Sequence, residues 1–248
     1  YNFTFFVIKD SRINAFALPG GYIGVHTGLL EATRNEDELA GVLAHEIAHV
    51  TQRHIARAIY ANSRKSILSQ AIMLGAIIAG AASGSSDAVQ AGVAVAQGAA
   101  MQQQINFTRS NEHEADRIGI SALAGAGFDP YGMASFFEVL SRKITRAPGE
   151  RVPEFLRTHP VTSSRIAEAR DRARNFDKIQ SKDSISYGVT KIRTIVDRFQ
   201  TSQEAVKYFE SRAYQNQNDL DRYGRLLSYM RDGKLEKAKD IIDYLVGK

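Results

Sequence analysis

The feature that most constrains this chain is an apolar run at helical spacing, Leu39-Ala40-Gly41-Val42-Leu43-Ala44, which continues into His45-Glu46-Ile47-Ala48-His49. The polar stretch Thr33 to Glu38 ahead of it offers Asn35 as an N-cap with Glu38 three residues later, so a long helix is predicted through about Tyr60. At about 100° per residue, side chains four apart share a face, which puts the imidazoles of His45 and His49 together with Glu46 beside them. An H-E-x-x-H pattern on a helix supplies two metal donors and a general base for peptide hydrolysis. One helix cannot finish such a site. A catalytic zinc takes three protein ligands and keeps a position for water, so a second element must deliver the third.

His54 is the nearest candidate in sequence, but in a continuous helix it falls about 180° away from His45, and no glycine turn bends the chain back. A structural or surface role is expected for it. Glu112-His113-Glu114-Ala115-Asp116 serves better, on a helix predicted from Asn111 to Gly125 and ended by Gly127-Phe128-Asp129-Pro130. Glu112 and Asp116 are about one turn apart. Glu112 can ligate the ion while Asp116 accepts a hydrogen bond from a ligand imidazole and fixes its tautomer. His113 and Glu114 fall on other faces and are expected to be solvent-exposed. With no cysteine in the chain, a thiolate site and a disulfide framework are excluded, and the metal, one Zn2+ per chain, rests on His and carboxylate donors.

Around this centre, Phe3 to Ile8 and Tyr22 to Val25 read as strands, with Asn14-Ala15-Phe16-Ala17 extended between them and Pro19-Gly20-Gly21 as a turn that leaves one strand at an edge. His26 has no partner motif and is expected to be structural. Ile67 to Ala82 is apolar but shorter than the roughly 20 residues of a membrane span and contains Ser69 and Gln70, so no transmembrane segment is expected. With the break at Gly84 to Ser86 and the small-residue run Ala88 to Ala100, it predicts a buried helical hairpin, with a mobile flap or a membrane-touching surface as the alternative. Tyr131 to Ile144 reads as a helix, Ala147 to Pro160 as a loop, and Ser163 or Ser164 as the cap of a helix reaching about Lys178.

After Ser181 to Ser184 the pattern changes to short amphipathic helices, Glu204 to Tyr214, Leu220 to Arg231 and Leu235 to Val246, with a tight turn at Asp232-Gly233 and Ala238 as a small residue facing a bulky partner. These resemble tetratricopeptide repeats. The expected architecture is α+β: a mainly helical zincin-type domain with a small sheet over 1–183, then a helical repeat-like tail over 184–248, an array cut short at the chain's end. The net charge of +5 comes from basic residues scattered along helices rather than clustered with aromatics, which argues against nucleic acid as a partner. A start at Tyr1 without Met, running at once into a strand-like stretch, leads to the expectation that an upstream segment has been removed or is not included.

Several runs carry a family resemblance: Asn14 to Gly21, Thr27-Gly28-Leu29-Leu30, Asp37-Glu38-Leu39 through Val50, Arg53-His54, and Glu112 to Asp116. In these the chain resembles the gluzincin metalloproteases of the CaaX prenyl protease and HtpX family, in their soluble periplasmic branch with a repeat domain. The resemblance implies zinc on His45, His49 and Glu112, with Glu46 polarising the attacking water. It also implies that the strand at Asn14, Ala15, Phe16 and Ala17 lines the cleft and binds extended substrate by β-augmentation, with Asn14 placed to bond a substrate carbonyl. His159-Pro160 and Arg165 match a further pattern with two readings. His159 either stabilises the oxyanion or closes the site as a fourth zinc ligand, and Arg165 either positions His159 or contacts the oxyanion.

The implied activity is a zinc-dependent endopeptidase acting on protein or peptide substrates in envelope protein quality control, located in the periplasm or cell envelope. A second reading is a chaperone or assembly factor whose repeats bind outer-membrane assembly partners while its protease site is normally closed.

Overall fold

Three short strands and ten helices with defined bounds are seen in the computed structural model, which describes residues 2–61, 75, 86–146, 152–177, 179, 181–215 and 218–247. Strands β1 (Thr4–Ile8), β2 (Ala15–Leu18) and β3 (Tyr22–His26) form one sheet in the order β1-β3-β2. β3 is central, parallel to β1 and antiparallel to β2. The β2–β3 turn needs two residues at positive φ, and Gly20 (φ 94) and Gly21 (φ 89) supply them without a Cβ penalty. Among the described residues β2 lies at one edge of the sheet, with one backbone side unpaired.

Helices α1 (Thr27–Ala32) and α2 (Glu36–Thr51) follow. Asn35 Oδ1 accepts the backbone N–H of Glu38 at 3.0 Å, while the buried Glu38 carboxylate reaches back to Arg34 N at 2.6 Å. The cap thus forms with its reciprocal half shifted by one residue. Helix α2 ends at Thr51, short of the predicted Tyr60. Arg53 has φ 56, a left-handed conformation uncommon outside glycine, and residues 54–61 resume as a separate helix.

Helix α3 (Ser86–Gly125) is a single helix of 40 residues, continuous where the sequence suggested separate pieces. The first arm of the hairpin expected over 67–100 lies outside the described residues, apart from residue 75. Helices α4 (Gly132–Arg146), α5 (Glu154–Thr158) and α6 (Ser163–Ala173) complete this part of the chain. The expected loop thus contains α5, and α6 is capped by Thr162, whose Oγ1 accepts Arg165 N, rather than by Ser163 or Ser164. A shared core joins Val25, Leu29, Val42, Leu123, Phe136 and Phe155 from the sheet and helices.

The remaining helices are α7 (Ile185–Arg198), α8 (Ser202–Gln215), α9 (Asp219–Arg231) and α10 (Leu235–Val246). Helix α7 was not singled out from the sequence. These four pack through two small apolar clusters of their own, and Ala238 is buried against Val206, Leu226 and Tyr229, as its size suggested. The joint with the rest of the chain is polar. Ser184 donates to Glu36 through N (2.6 Å) and Oγ (2.9 Å), Glu36 N donates to Asp183 (2.7 Å), and Tyr187 meets Thr33. No described helix is long and apolar enough to cross a membrane.

Candidate metal centre

The site is built where α2 and α3 lie against each other. Their close approach depends on Gly119, where an added Cβ would sit 2.8 Å from Met133 Cε and 3.1 Å from His45 N. Two turns before Gly119, Glu112 is thereby held opposite His45 and His49. His159, just after α5, closes the group, and its ring lies tilted on Phe155 with centroids 4.7 Å apart.

The four side chains His45, His49, Glu112 and His159 each offer a donor atom, all within 4.8 Å of one another. His45 Nε2 lies 3.0 Å from His49 Nε2 and 3.3 Å from His159 Nδ1. Glu112 lies 3.4 Å from His49 Nε2 and 3.1 Å from His159 Nδ1. Around a zinc ion with bonds of about 2.1 Å, tetrahedral ligand atoms stand about 3.4 Å apart. The donor set therefore fits zinc in both type and spacing. Glu46 adds an independent sign, since its side chain is 1% exposed and its Oε1, 3.5 Å from His159 Nε2, has no hydrogen-bond partner among the described residues. A buried carboxylate oxygen without a donor is costly and marks a place where chemistry is expected.

Charged groups behind the donors hold them in place. Arg165 donates to both oxygens of Asp116 (2.7 Å each), to Glu112 Oε2 (2.9 Å) and to the Pro160 carbonyl (2.9 Å). It is buried, and its guanidinium ties α3 to the segment carrying His159. Asp116 Oδ1 lies 3.0 Å from His45 Nδ1, off the line of a well-aligned hydrogen bond but close enough to favour a proton there. Burial opposes charge on His45, yet Asp116 and Glu112 outweigh it and lift its pKa to about 9. His49 is pushed down to about 4, mainly by burial, with Glu112 opposing and the positive His45 adding to the fall. Burial would raise Glu112, but hydrogen bonds from His159, His45 and His49 hold it far below the usual carboxylate range. Asp116 is lowered likewise, with burial outweighed by His45 and Arg165.

His54 is placed differently from the sequence expectation. The break at Gln52-Arg53 turns the chain so that His54 Nδ1 lies 2.9 Å from His49 Nδ1, and the residue is 3% exposed. It is outside the four-donor group, in line with its rejection as a ligand, but the continuous-helix geometry behind that rejection does not hold. Glu114 is not a free surface carboxylate either, since its Oε2 accepts from Arg57 (2.8 Å) and faces His54 Nε2 (3.2 Å). Burial pushes the His54 pKa down against the opposing effect of Glu114. His113 pairs with Glu168 at 2.8 Å, and His26 is buried at the end of β3 with its ring edge-on to Phe16.

The strand segment named for substrate lies beside α2. Ala15 is fully buried in the core, and the Phe16 ring packs on Phe6 and His26. Among the described residues the β2 backbone edge away from β3 is unpaired, and Asn14 Oδ1 is buried without a hydrogen-bond partner.

Fold and donor set together give an α+β unit with, among the described residues, one group of side chains able to hold a metal ion. The chain belongs to peptidase family M48, whose model matches residues 1–173. It is 38% identical over 251 residues to the beta-barrel assembly-enhancing protease of Escherichia coli strain K12, covering 98% of this chain and 50% of that protein. It is 36% identical over 253 residues to the protein of the same description from Yersinia pestis, covering 99% and 50%. With the mitochondrial metalloendopeptidase OMA1 of Arabidopsis thaliana it shares 32% over 159 residues, 64% of this chain and 29% of that one. The chain thus spans about half the length of the two bacterial relatives.

Proposed function

We propose that this chain is a zinc endopeptidase of the cell envelope, located in the periplasm, that acts on protein substrates in quality control linked to outer-membrane assembly. The observation that carries the catalytic part is the grouping of His45, His49 and Glu112 around one metal position, with Glu46 Oε1 buried beside it and without a hydrogen-bond partner among the described residues. The biological setting rests on the two bacterial relatives, which are described as enhancing β-barrel assembly. Held by His45, His49 and Glu112, zinc would supply an acidified water and polarise the scissile carbonyl. Glu46 is the base, placed to take a proton from the attacking water and to pass it to the leaving amine. The open edge of β2 pairs with the extended substrate backbone, and Asn14 bonds one of its carbonyls.

His159 is assigned the closing role. Its Nδ1 stands among the donors, 3.3 Å from His45 Nε2, and its Nε2 is 3.5 Å from Glu46 Oε1, so it occupies the place a water needs. Opening requires His159 to swing away from Glu112. Arg165 is a positioning residue that holds Glu112, Asp116 and the Pro160 carbonyl.

The chain divides near Asp183 into a protease unit, 1–183, and a tetratricopeptide-like tail, 184–248. Separate apolar clusters and the polar joint support that division. The chaperone reading is carried by the same closed arrangement, with the tail helices binding assembly partners. Turnover of casein by the zinc-loaded chain discriminates the roles of His159. His159→Ala should keep its zinc and cleave faster, whereas a fall in cleavage with zinc retained would return His159 to oxyanion stabilisation.

A further inference from the structure

The two histidines of α2 are backed in different ways. His45 Nδ1 meets the carboxylate of Asp116, the common arrangement behind a metal-ligating imidazole. His49 Nδ1 meets no carboxylate, and among the described residues the group facing it is the ring of His54. We propose that His54 is a positioning residue of the metal site, which fixes the tautomer and plane of His49 through Nδ1 and is itself held by Glu114. The inference rests on the zinc reading above.

The hydrogen-bond polarity is set by the metal. For His49 Nε2 to ligate, its proton must sit on Nδ1, where it becomes a donor. His54 Nδ1, 2.9 Å away, then accepts, which places the His54 proton on Nε2. There it points to Glu114 Oε2 at 3.2 Å, and that oxygen also takes a hydrogen bond from Arg57 Nη1 at 2.8 Å. Each atom along His49, His54, Glu114 and Arg57 has one consistent role, with no donor facing a donor. The backbone pays for this arrangement: an uninterrupted α2 would carry His54 to the far side, and Arg53 holds φ 56 to bring it back. A left-handed arginine costs about 1–2 kcal/mol. Strain of this kind persists where the surroundings over-determine it, as at ligand-binding sites.

Two substitutions at His54 separate positioning from packing. His54→Phe keeps a ring of similar size and removes the acceptor; His54→Asn places an amide oxygen near the position of Nδ1 and restores it. Zinc affinity is read by chelator competition on the full chain, alongside thermal melting of the metal-free protein. The expected result is that His54→Phe weakens zinc binding about 10–100-fold with unchanged metal-free melting, and that His54→Asn recovers most of the loss. Glu114→Gln should weaken it by only a few-fold. A His54→Phe variant that holds zinc as tightly as the unmodified chain overturns the inference. So does an equal loss in both variants accompanied by lower metal-free melting, which would make His54 a packing residue. Failure of the unmodified chain to bind zinc would show itself before any variant is compared and would strike the zinc reading itself.

Discussion

The helix pair that carries the metal donors and the four-helix tail both have apolar packing but differ in what else they bury. Around α2 and α3 the buried groups include Glu46 and the set His45, Glu112, Asp116 and Arg165, charged or polar side chains that face one another at 2.7–3.5 Å. In the tail the buried groups are largely Ile192, Val196, Val206, Phe209, Leu226 and Ala238, held by shape and the removal of apolar surface from water. Buried charges are weak evidence of stability, because their desolvation offsets much of their attraction. Apolar clusters are the reverse, stabilising without specifying any chemistry. The metal region is therefore built to hold atoms in place and the tail to stay folded as a surface, so the two should respond differently to substitution, metal and pH.

The largest expected effect is chemical and confined to the first region. Glu46→Gln should lower casein turnover by about 10^2–10^4-fold while zinc content and tail stability stay unchanged, because a base is lost and no ligand is. Loss of zinc in that variant would break the division of roles between Glu46 and the donors. In the tail, Phe209→Ala removes a fully buried ring and should cost about 3–5 kcal/mol in denaturant unfolding of the tail transition, with zinc content unaffected. A zinc loss of similar size would show that the two regions fold as one unit.

A smaller effect is expected from Gly119→Val, which forces a branched side chain against Met133 and the His45 backbone and should cost about 1–3 kcal/mol. Its distinguishing sign is weaker zinc binding, since α3 carries Glu112.

The smallest effect is the pH dependence of the metal-free protein. Relative to an unfolded value of about 6.5, His45 is raised to about 9, so its contribution is complete below 6.5 and is lost as pH rises through 9. His49 is depressed to about 4, so its contribution is present above 6.5 and is lost as pH falls through 4. Together they predict a melting temperature that peaks near pH 6.5, with the alkaline side of the peak removed by zinc loading. A flat profile between pH 6.5 and 9 would contradict the Asp116 and Glu112 influence on His45.

Much of this contrast was legible in the sequence. The spacing of His45 and His49, and of Glu112 and Asp116, needed only helical periodicity to place each pair on a face. Ala238 and the Asp232-Gly233 turn foretold the packing of α9 and α10. What was not legible depended on contacts between distant segments or on a backbone choice that composition does not signal. Arg53 in a left-handed conformation carries no glycine or proline signature, so the end of α2 and the position of His54 were misplaced together. The role of Gly119 appears only when α2 and α4 are seen against it. Arg165 was noticed through a family pattern, but its partners Asp116 and Glu112 come from a helix some fifty residues earlier.

The central claim is that one zinc is held by His45, His49 and Glu112. The most direct measurement is metal content by mass spectrometry of the chain purified under zinc-replete conditions, together with Glu112→Ala. The account predicts about one zinc per unmodified chain and little in Glu112→Ala, with both proteins keeping the tail transition. An unmodified chain without zinc, or a Glu112→Ala variant that binds it as tightly, would contradict the account.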